Sequence, residues 1–402
     1  MNLDSQNEIA RICSSLTAEG YTVRLCAYGA IDKYLALPSL PCLLIETNAN
    51  IADLAMFIEN LRFPGMDIAD GALDVSEGTC YFRCVENGEQ SKPPFPILSF
   101  AYDFGTSHFL DPQGVYPVLR KFQRGDSISL EKAVYSPGIS RWRLIMDASL
   151  LLARYAFDTV KRQCLEEFAE TLANCPAGLP PGPEMQRTFL SCLLVSPKPD
   201  RGFNLLKYMG LLQELWPELA ALDNVDHSKE FHPEGNVWSH TMETFRHRKP
   251  LNSGGFDLRL SLGLLLHDAG KPIAASSGSR RFDGHAELGA RAAARFLERL
   301  DFEPALTQDI FYLVKNHMLP AAIKRLPLTK TSGIMVSPLF PTLMELYRCD
   351  ESSSFKGLDN FYENSAAYQN YLKNSRNPYR SSNGKKTERN KTLTRDSHFA
   401  RQ

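Results

Sequence analysis

The sequence predicts a mostly helical α+β protein, with a small strand-containing unit first, a helical middle and an all-helical region after it. Three observations carry this. Short β-type runs at Tyr21–Ala27 and Cys42–Ile45 alternate with helical patterns at Ile31–Leu37 and Ile51–Leu61, as in a small α/β unit. A helical pattern then runs from Arg141 to about Cys175 without Pro or Gly. Residues 226–352 show helical periodicity only, around the stretch LGLLLHDAGKP at Leu262–Pro272.

Taken in order, residues 1–20 read as an amphipathic helix with Ile9, Ile12 and Leu16 on one face. Asn48 or Asn50 is the expected cap of the helix beginning at Ile51. Residues 64–93 read as loop around one strand near Thr79–Cys84, Ile97–Tyr102 as a further strand, and DPQG within Phe109–Val115 as a turn. LPPGP at Leu179–Pro183 breaks the helical pattern, which resumes at 184–195 and 201–213. The expected divisions are 1–135, 136–225, 226–352 and 353–402. The last is a basic tail, partly disordered: residues 373–402 hold nine Lys/Arg against Glu388 and Asp396. Such a tail either solvates or makes weak electrostatic contact with RNA.

At 402 residues the chain has room for two or three domains, and 43% hydrophobic residues supports real cores. A formal net charge of -1 gives no global basic footprint of the kind that dominates nucleic-acid binding. Nine scattered cysteines without a CxxC argue against a zinc ribbon and against a disulfide framework, and point to a reducing cytosol. The polar start MNLDSQNEIARICSSL is no signal peptide, and no apolar run approaches membrane-spanning length. The oligomeric state is open.

The chemistry concentrates on histidines and aspartates. His267 and Asp268 end the apolar run that begins at Leu262 and is stopped by Gly270 and Pro272. They are either a satisfied core pair or two ligands for one ion, because a buried carboxylate is costly without a partner. His317 follows Ile310, Leu313 and Val314 on one helical stripe, and Asp350 follows Leu343, Leu346 and Tyr347 where an apolar residue is expected. His285 opens the helix ELGARAAARFLERL, with Leu288, Ala292, Phe296 and Leu300 inward and Arg291, Arg295 and Arg299 outward. His240 sits in the first turns of its own helix, and His247 shares its face as a competitor. His240, His267, Asp268 and Asp350 would form a mixed nitrogen/oxygen site, and His285 and His317 would allow a second ion. Such ligands suit a divalent ion: manganese, nickel, cobalt, iron, zinc or magnesium. Lys271 either neutralises phosphate charge or faces a helix C-terminus.

The order His240, His267-Asp268, His285, His317, Asp350, with HDAGKP intact, resembles the HD-domain metal-dependent phosphohydrolases over about residues 226–352. The resemblance implies hydrolysis of a phosphomonoester or phosphodiester on a nucleotide or RNA, with Asp268 as metal ligand and proton handler. A second resemblance covers about residues 15–352. FHPEGNVWSHT, SPKPDRGFNLLKYMGLLQELWPELAAL, LCAYGAIDKYL, FAYDFGTSHFLDPQGVYPVLRK and ARYAFD are together similar to the bacterial tRNA nucleotidyltransferases, the CCA-adding enzymes and poly(A) polymerase relatives. It implies a small mixed-sheet head, a helical neck, an all-α HD domain and tRNA as a partner.

The head departs from that pattern. Cys42 and Leu44 stand where the family's paired metal-binding aspartates would be, Pro94 and Leu98 replace an Asp and an Asn, and Tyr28-Gly29 replaces paired glycines. In the neck Arg154 and Glu184 are retained, and Met185 replaces a base-reading arginine. Asp67, Asp70 and Asp74 are the nearby candidates for substitute ligands. Three readings follow: an HD phosphohydrolase with a head that no longer catalyses, a working tRNA or RNA nucleotidyltransferase with an unusual head, or a non-catalytic RNA-binding protein whose HD site holds metal structurally.

Overall fold

The computed structural model describes residues 3–66, 68–76, 78–86, 93–125, 139–155, 162–226, 235–276, 282–354 and 357–377. They divide into two compact units. One holds Met1–Ala220 with Lys249–Ser261 and Arg299–Phe302; the other holds Ala221–Arg248, Leu262–Glu298 and Glu303–Gln402. The fold is mostly helical α+β with one small mixed sheet.

The first unit begins with α1 (Leu3–Ala18), β1 (Val23–Cys26), α2 (Tyr28–Leu35), β2 (Cys42–Thr47), α3 (Ile51–Phe57), β3 (Gly71–Val75), β4 (Gly78–Cys84), β5 (Ala101–Asp103), β6 (His108–Leu110) and α4 (Tyr116–Gln123). The sheet order is β3-β4-β2-β1-β5-β6. β2 and β4 pair in parallel, with Leu43 opposite Cys80, and the other neighbours are antiparallel, with Leu25 opposite both Ile45 and Tyr102. Side chains alternate across a strand, so Leu25, Leu43, Ile45 and Phe82 face a core closed by Ile9, Cys13 and Leu16 of α1 and Leu54 of α3. Arg24, Cys26, Cys42, Leu44 and Glu46 therefore occupy the opposite face. Asn50 caps α3 through a reciprocal bond with Asp53.

Three local expectations change here. The stretch read as loop holds β3 as well as β4; its residues GALDV have little β-propensity, and pairing to β4 decides their state. Ile97–Tyr102 is a short 3₁₀ turn, Pro96–Ser99, before β5, because the Pro96 ring has no N–H for a ladder. The helix from Ile51 stops at Phe57 rather than Leu61.

The unit continues through α5 (Arg141–Arg154), α6 (Arg162–Ala173), α7 (Pro183–Leu194), α8 (Pro199–Tyr208), α9 (Leu212–Leu215) and α10 (Pro217–Ala220). The single helix expected from Arg141 is two helices, and residues 156–161 lie outside the described ones. α5 is buried nearly all round, from Trp142 to Arg154. Its last residue reaches Asp32 of α2, at 3.0 Å, and the Pro38 carbonyl, while Tyr155 donates to the same carboxylate at 3.1 Å.

The second unit contains α11 (Val237–Thr244), most of α12 (Leu258–Leu266), α13 (Lys271–Ser276), α14 (His285–Arg299), α15 (Pro304–Asn316), α16 (Leu328–Met335), α17 (Phe340–Ser352) and α18 (Asp359–Ser375). Leu262 and Leu264–Leu266 are fully buried. The inward face of α14 is turned slightly from the expected one: Ala286, Gly289, Ala290, Ala293, Phe296 and Leu297 are buried, and Leu288 and Ala292 only half-buried. α18 runs through a stretch read as tail. Asn364, Tyr368 and Tyr371 are buried on one side of it, with Tyr368 tilted against Phe340 at 4.5 Å. Residues 378–402, the rest of that basic stretch, lie outside the described residues. Among the described residues no helix is long and apolar enough to cross a membrane.

Candidate metal centre

Six side chains from five segments of the second unit converge. His240 comes from α11, His267 and Asp268 from the turn between α12 and α13, His285 from the first residue of α14, His317 from the end of α15, and Asp350 from the last turn of α17. They form two groups, His240–His267–Asp350 and Asp268–His285–His317, and within each the ligand atoms lie within 4.8 Å of one another. His267 Nε2 stands 3.2 Å from Asp268 Oδ2, which joins the groups. His240, His267, Asp268 and His317 are at most 2% exposed, whereas the Asp350 side chain keeps 26% of its surface.

A close approach makes this possible. Gly270 follows the His-Asp turn, and a Cβ there would lie 2.0 Å from the His285 carbonyl oxygen and 2.5 Å from the Gly289 nitrogen. Only glycine lets the turn sit against the start of α14, which is how Asp268 comes within 3.7 Å of His285 Nε2.

The hydrogen bonds orient the rings. Nδ1 of His267, His285 and His317 lies 2.8, 2.9 and 2.7 Å from the carbonyl oxygens of Leu264, Phe282 and Val314. A carbonyl only accepts, so Nδ1 carries the proton in each. The Ser353 hydroxyl donates to the Asp350 carbonyl at 2.6 Å and so accepts from His240 Nδ1 at 3.1 Å. In the neutral form, all four rings would therefore turn a bare Nε2 inward. His285 and His317 point these nitrogens at each other at 3.1 Å. His240 Nε2 faces Asp350 Oδ1 at 3.0 Å, and buried His267 Nε2, 3.2 Å from Asp268 Oδ2, makes no hydrogen bond among the described residues. Lone pairs aimed at lone pairs require a shared proton or a cation between them.

The electrostatics favour a cation. Burial holds His317 down to about 4 and lowers His285 as well. Burial works to raise Asp268 and Asp350, but His267 and Lys271 beside the first, and His240 beside the second, hold both below the usual carboxylate range. Neutral imidazoles and ionised carboxylates are the forms that bind metal. Ligands at 2.0–2.2 Å from one ion lie roughly 3.0–3.6 Å apart, close to the spacings seen here. The residues fit one or two divalent ions.

Other candidates fall outside the centre or change role. His247 is 31% exposed and lies 3.7 Å from Glu243, outside both groups. Lys271 opens α13 and lies 2.6 Å from Asp268 Oδ2, in the turn that follows α12. Asp74 is held by Arg62 at 2.6 Å, Asp70 accepts from the Cys84 N–H at 2.8 Å, and neither joins a group of metal-ligand side chains among the described residues. Asp67 lies outside the described residues. Sequence reasoning missed Ser353. It stands three residues after Asp350, but 113 positions separate it from His240, and no local pattern links them.

Residues 237–351 match the HD domain family, so the convergent histidines and aspartates lie in an HD domain. The chain is also 33% identical over 156 residues to the Multifunctional CCA protein of Halorhodospira halophila, covering 37% of this chain and 37% of that one. It is 33% identical over 195 residues to the CC-adding tRNA nucleotidyltransferase of Thermus thermophilus, covering 47% and 43%. With the A-adding tRNA nucleotidyltransferase of Deinococcus radiodurans it shares 33% over 171 residues, covering 40% and 39%. Each match thus spans less than half of the curated relative. The fold is similar to the crystal structure of the Bacillus stearothermophilus CCA-adding enzyme in complex with CTP, with TM-score 0.51, 12% identity, and 93% of this chain and 84% of that one covered. Over less than half of its length the chain is thus similar to CCA-adding tRNA nucleotidyltransferases, and residues 237–351 match the HD domain.

Proposed function

We propose that the HD site is a metal-dependent phosphohydrolase centre acting on a phosphoester of a nucleotide or of RNA, tRNA included. The observation that carries this is the inward convergence of four imidazole Nε2 atoms and two carboxylates, with buried His267 Nε2 making no hydrogen bond among the described residues. A divalent ion held by these residues would polarise a phosphoryl oxygen and acidify water. Around it, Lys271 presents an ammonium beside Asp268 and can meet a phosphate oxygen. Asp268, ionised and bonded to Lys271, stands next to that position as a metal ligand. Ser353 and the three carbonyls keep the imidazoles in the ligating tautomer.

A second reading, nucleotidyl transfer to tRNA, is supported by the similarity to CC-adding and A-adding tRNA nucleotidyltransferases more directly than hydrolysis is. Nucleotidyl transfer uses paired carboxylates to hold metal against a triphosphate. On the face of β2 away from the α1–α3 core only Glu46 is acidic, next to Cys42 and Leu44, and Arg24 lies between it and Asp103, 3.5 Å from the latter. That face favours hydrolysis at the HD site as the working chemistry. The test pairs two assays. Hydrolysis of bis-p-nitrophenyl phosphate and 2′,3′-cAMP is measured across divalent metals, wild type beside Asp268→Ala, and labelled CTP or ATP incorporation into tRNA is measured alongside. Metal-dependent turnover lost in the variant supports the first reading. Incorporation without turnover replaces it with the second, and neither, in protein that binds metal, leaves a structural metal site.

A further inference from the structure

We propose that Cys42 and Cys192 form a reversible oxidation site that closes to a disulfide on exposure to a hydroperoxide. Helix α7 lies across the face of the sheet opposite the α1–α3 core, touching it with residues four apart, which stack on one side of a helix. Glu184 accepts from Arg62 at 2.6 and 2.9 Å and from the Tyr81 hydroxyl at 3.1 Å. One turn on, the Thr188 hydroxyl meets the Tyr81 hydroxyl at 2.9 Å. After another turn, Cys192 Sγ lies 3.1 Å from Cys42 Sγ of β2. The two polar rungs fix the third, so the sulfurs are held together by the packing of helix on sheet. A disulfide is about 2.05 Å long, so about 1 Å of travel closes it.

The two thiols differ in access. Cys42 is half-buried and Cys192 buried, so Cys42 meets the oxidant first. Its thiolate attacks the hydroperoxide, the O–O bond breaks, and a sulfenic acid and an alcohol or water form. Cys192 starts as a thiol, raised well above the ordinary value by its bond to Cys42 and by burial, and gives up its proton as it becomes the nucleophile. It then attacks the Cys42 sulfur; its proton and the sulfenic hydroxyl leave as water. The net change is two thiols and one hydroperoxide to one disulfide, one alcohol or water, and one water. The crosslink joins positions 150 apart, strand β2 to helix α7.

The test is a peptide map under non-reducing conditions of the full-length, metal-loaded protein, before and after hydrogen peroxide. The expected result is a Cys42–Cys192 peptide pair, a loss of two of the nine thiols, a rise in Tm from closure of a long loop, and reversal of all three by a thiol reductant. In Cys192→Ser, Cys42 should stop at a dimedone-reactive sulfenic acid, and in Cys42→Ser, Cys192 should stay reduced. Recovery of both as thiols at a dose that oxidises other cysteines, or sulfinic acid at Cys42 with Cys192 reduced, overturns the proposal. The wild-type map requires no substitution, so it decides the matter even where a variant misfolds.

Discussion

Ser353 touches no substrate position, yet it fixes which nitrogen of His240 faces the cluster. Ser353→Ala should therefore weaken metal binding by about 10–100-fold, the usual effect of losing a ligand's supporting hydrogen bond, with the thermal stability of the metal-free protein nearly unchanged. Calorimetric titration with Mn²⁺ or Zn²⁺ checks it, and an unaltered Kd would show that Ser353 has no orienting role. His267 offers a contrast. Its Nε2 is buried and makes no hydrogen bond among the described residues, so His267→Ala should abolish metal binding while removing an unsatisfied group. At this scale the sequence was informative about residue type and only partly about address. Periodicity placed His240 and His247 on one face; burial of α11 against α17 takes the first and leaves the second at the surface beside Glu243.

At the scale of elements, two contacts decide geometry. Gly270 lets the His-Asp turn meet α14, and Gly270→Ala drives a Cβ into backbone rather than into a side chain that can turn away. A loss of about 1–3 kcal/mol or more is expected, with reduced metal affinity because His285 and Asp268 are pushed apart; urea unfolding beside metal titration reads both. The other contact is the buried pair of Asp32 and Arg154. Burial pushes Asp32 up to about 6 despite Arg154, against about 3.9 in the unfolded chain. The folded state holds that proton more tightly, so this stabilisation is complete below the unfolded value and is lost as pH rises through 6. Asp32→Asn lacks the dependence. The stability difference between wild type and variant should be larger at pH 4.5 than at 7.5, and a difference independent of pH would mean that the Asp32 proton is not linked to folding. Gly270 and Pro272 were legible as a helix stop. That the glycine is needed for contact with α14 was not, because nothing local records which backbone lies opposite.

For the whole molecule, the centre lies in the second unit, so metal should stabilise that unit. At a free concentration 100 times Kd the gain is about 2.7 kcal/mol. Hydrogen exchange with and without metal should show added protection across 237–248, 262–276, 282–298 and 303–354, removed by a chelator. Protection gained only in the sheet-bearing unit would move the metal site elsewhere.

The sequence alone determined the helical character of residues 226–352, the strand and helix alternation at the start, and the six residues whose chemistry suits a divalent ion. Those are consequences of periodicity and of residue type, and both are written locally along the chain. Tertiary structure decided the rest. It paired GALDV into a strand, divided the long helix after Arg154, built a helix around Tyr368 and Tyr371, chose His240 over His247, and set Lys271 beside Asp268. Apart from the close pair of Asp268 and Lys271 and the β3–β4 hairpin, each of these depends on a partner distant in sequence, and packing energy supplied by that partner outweighs the small propensities that a local reading can weigh.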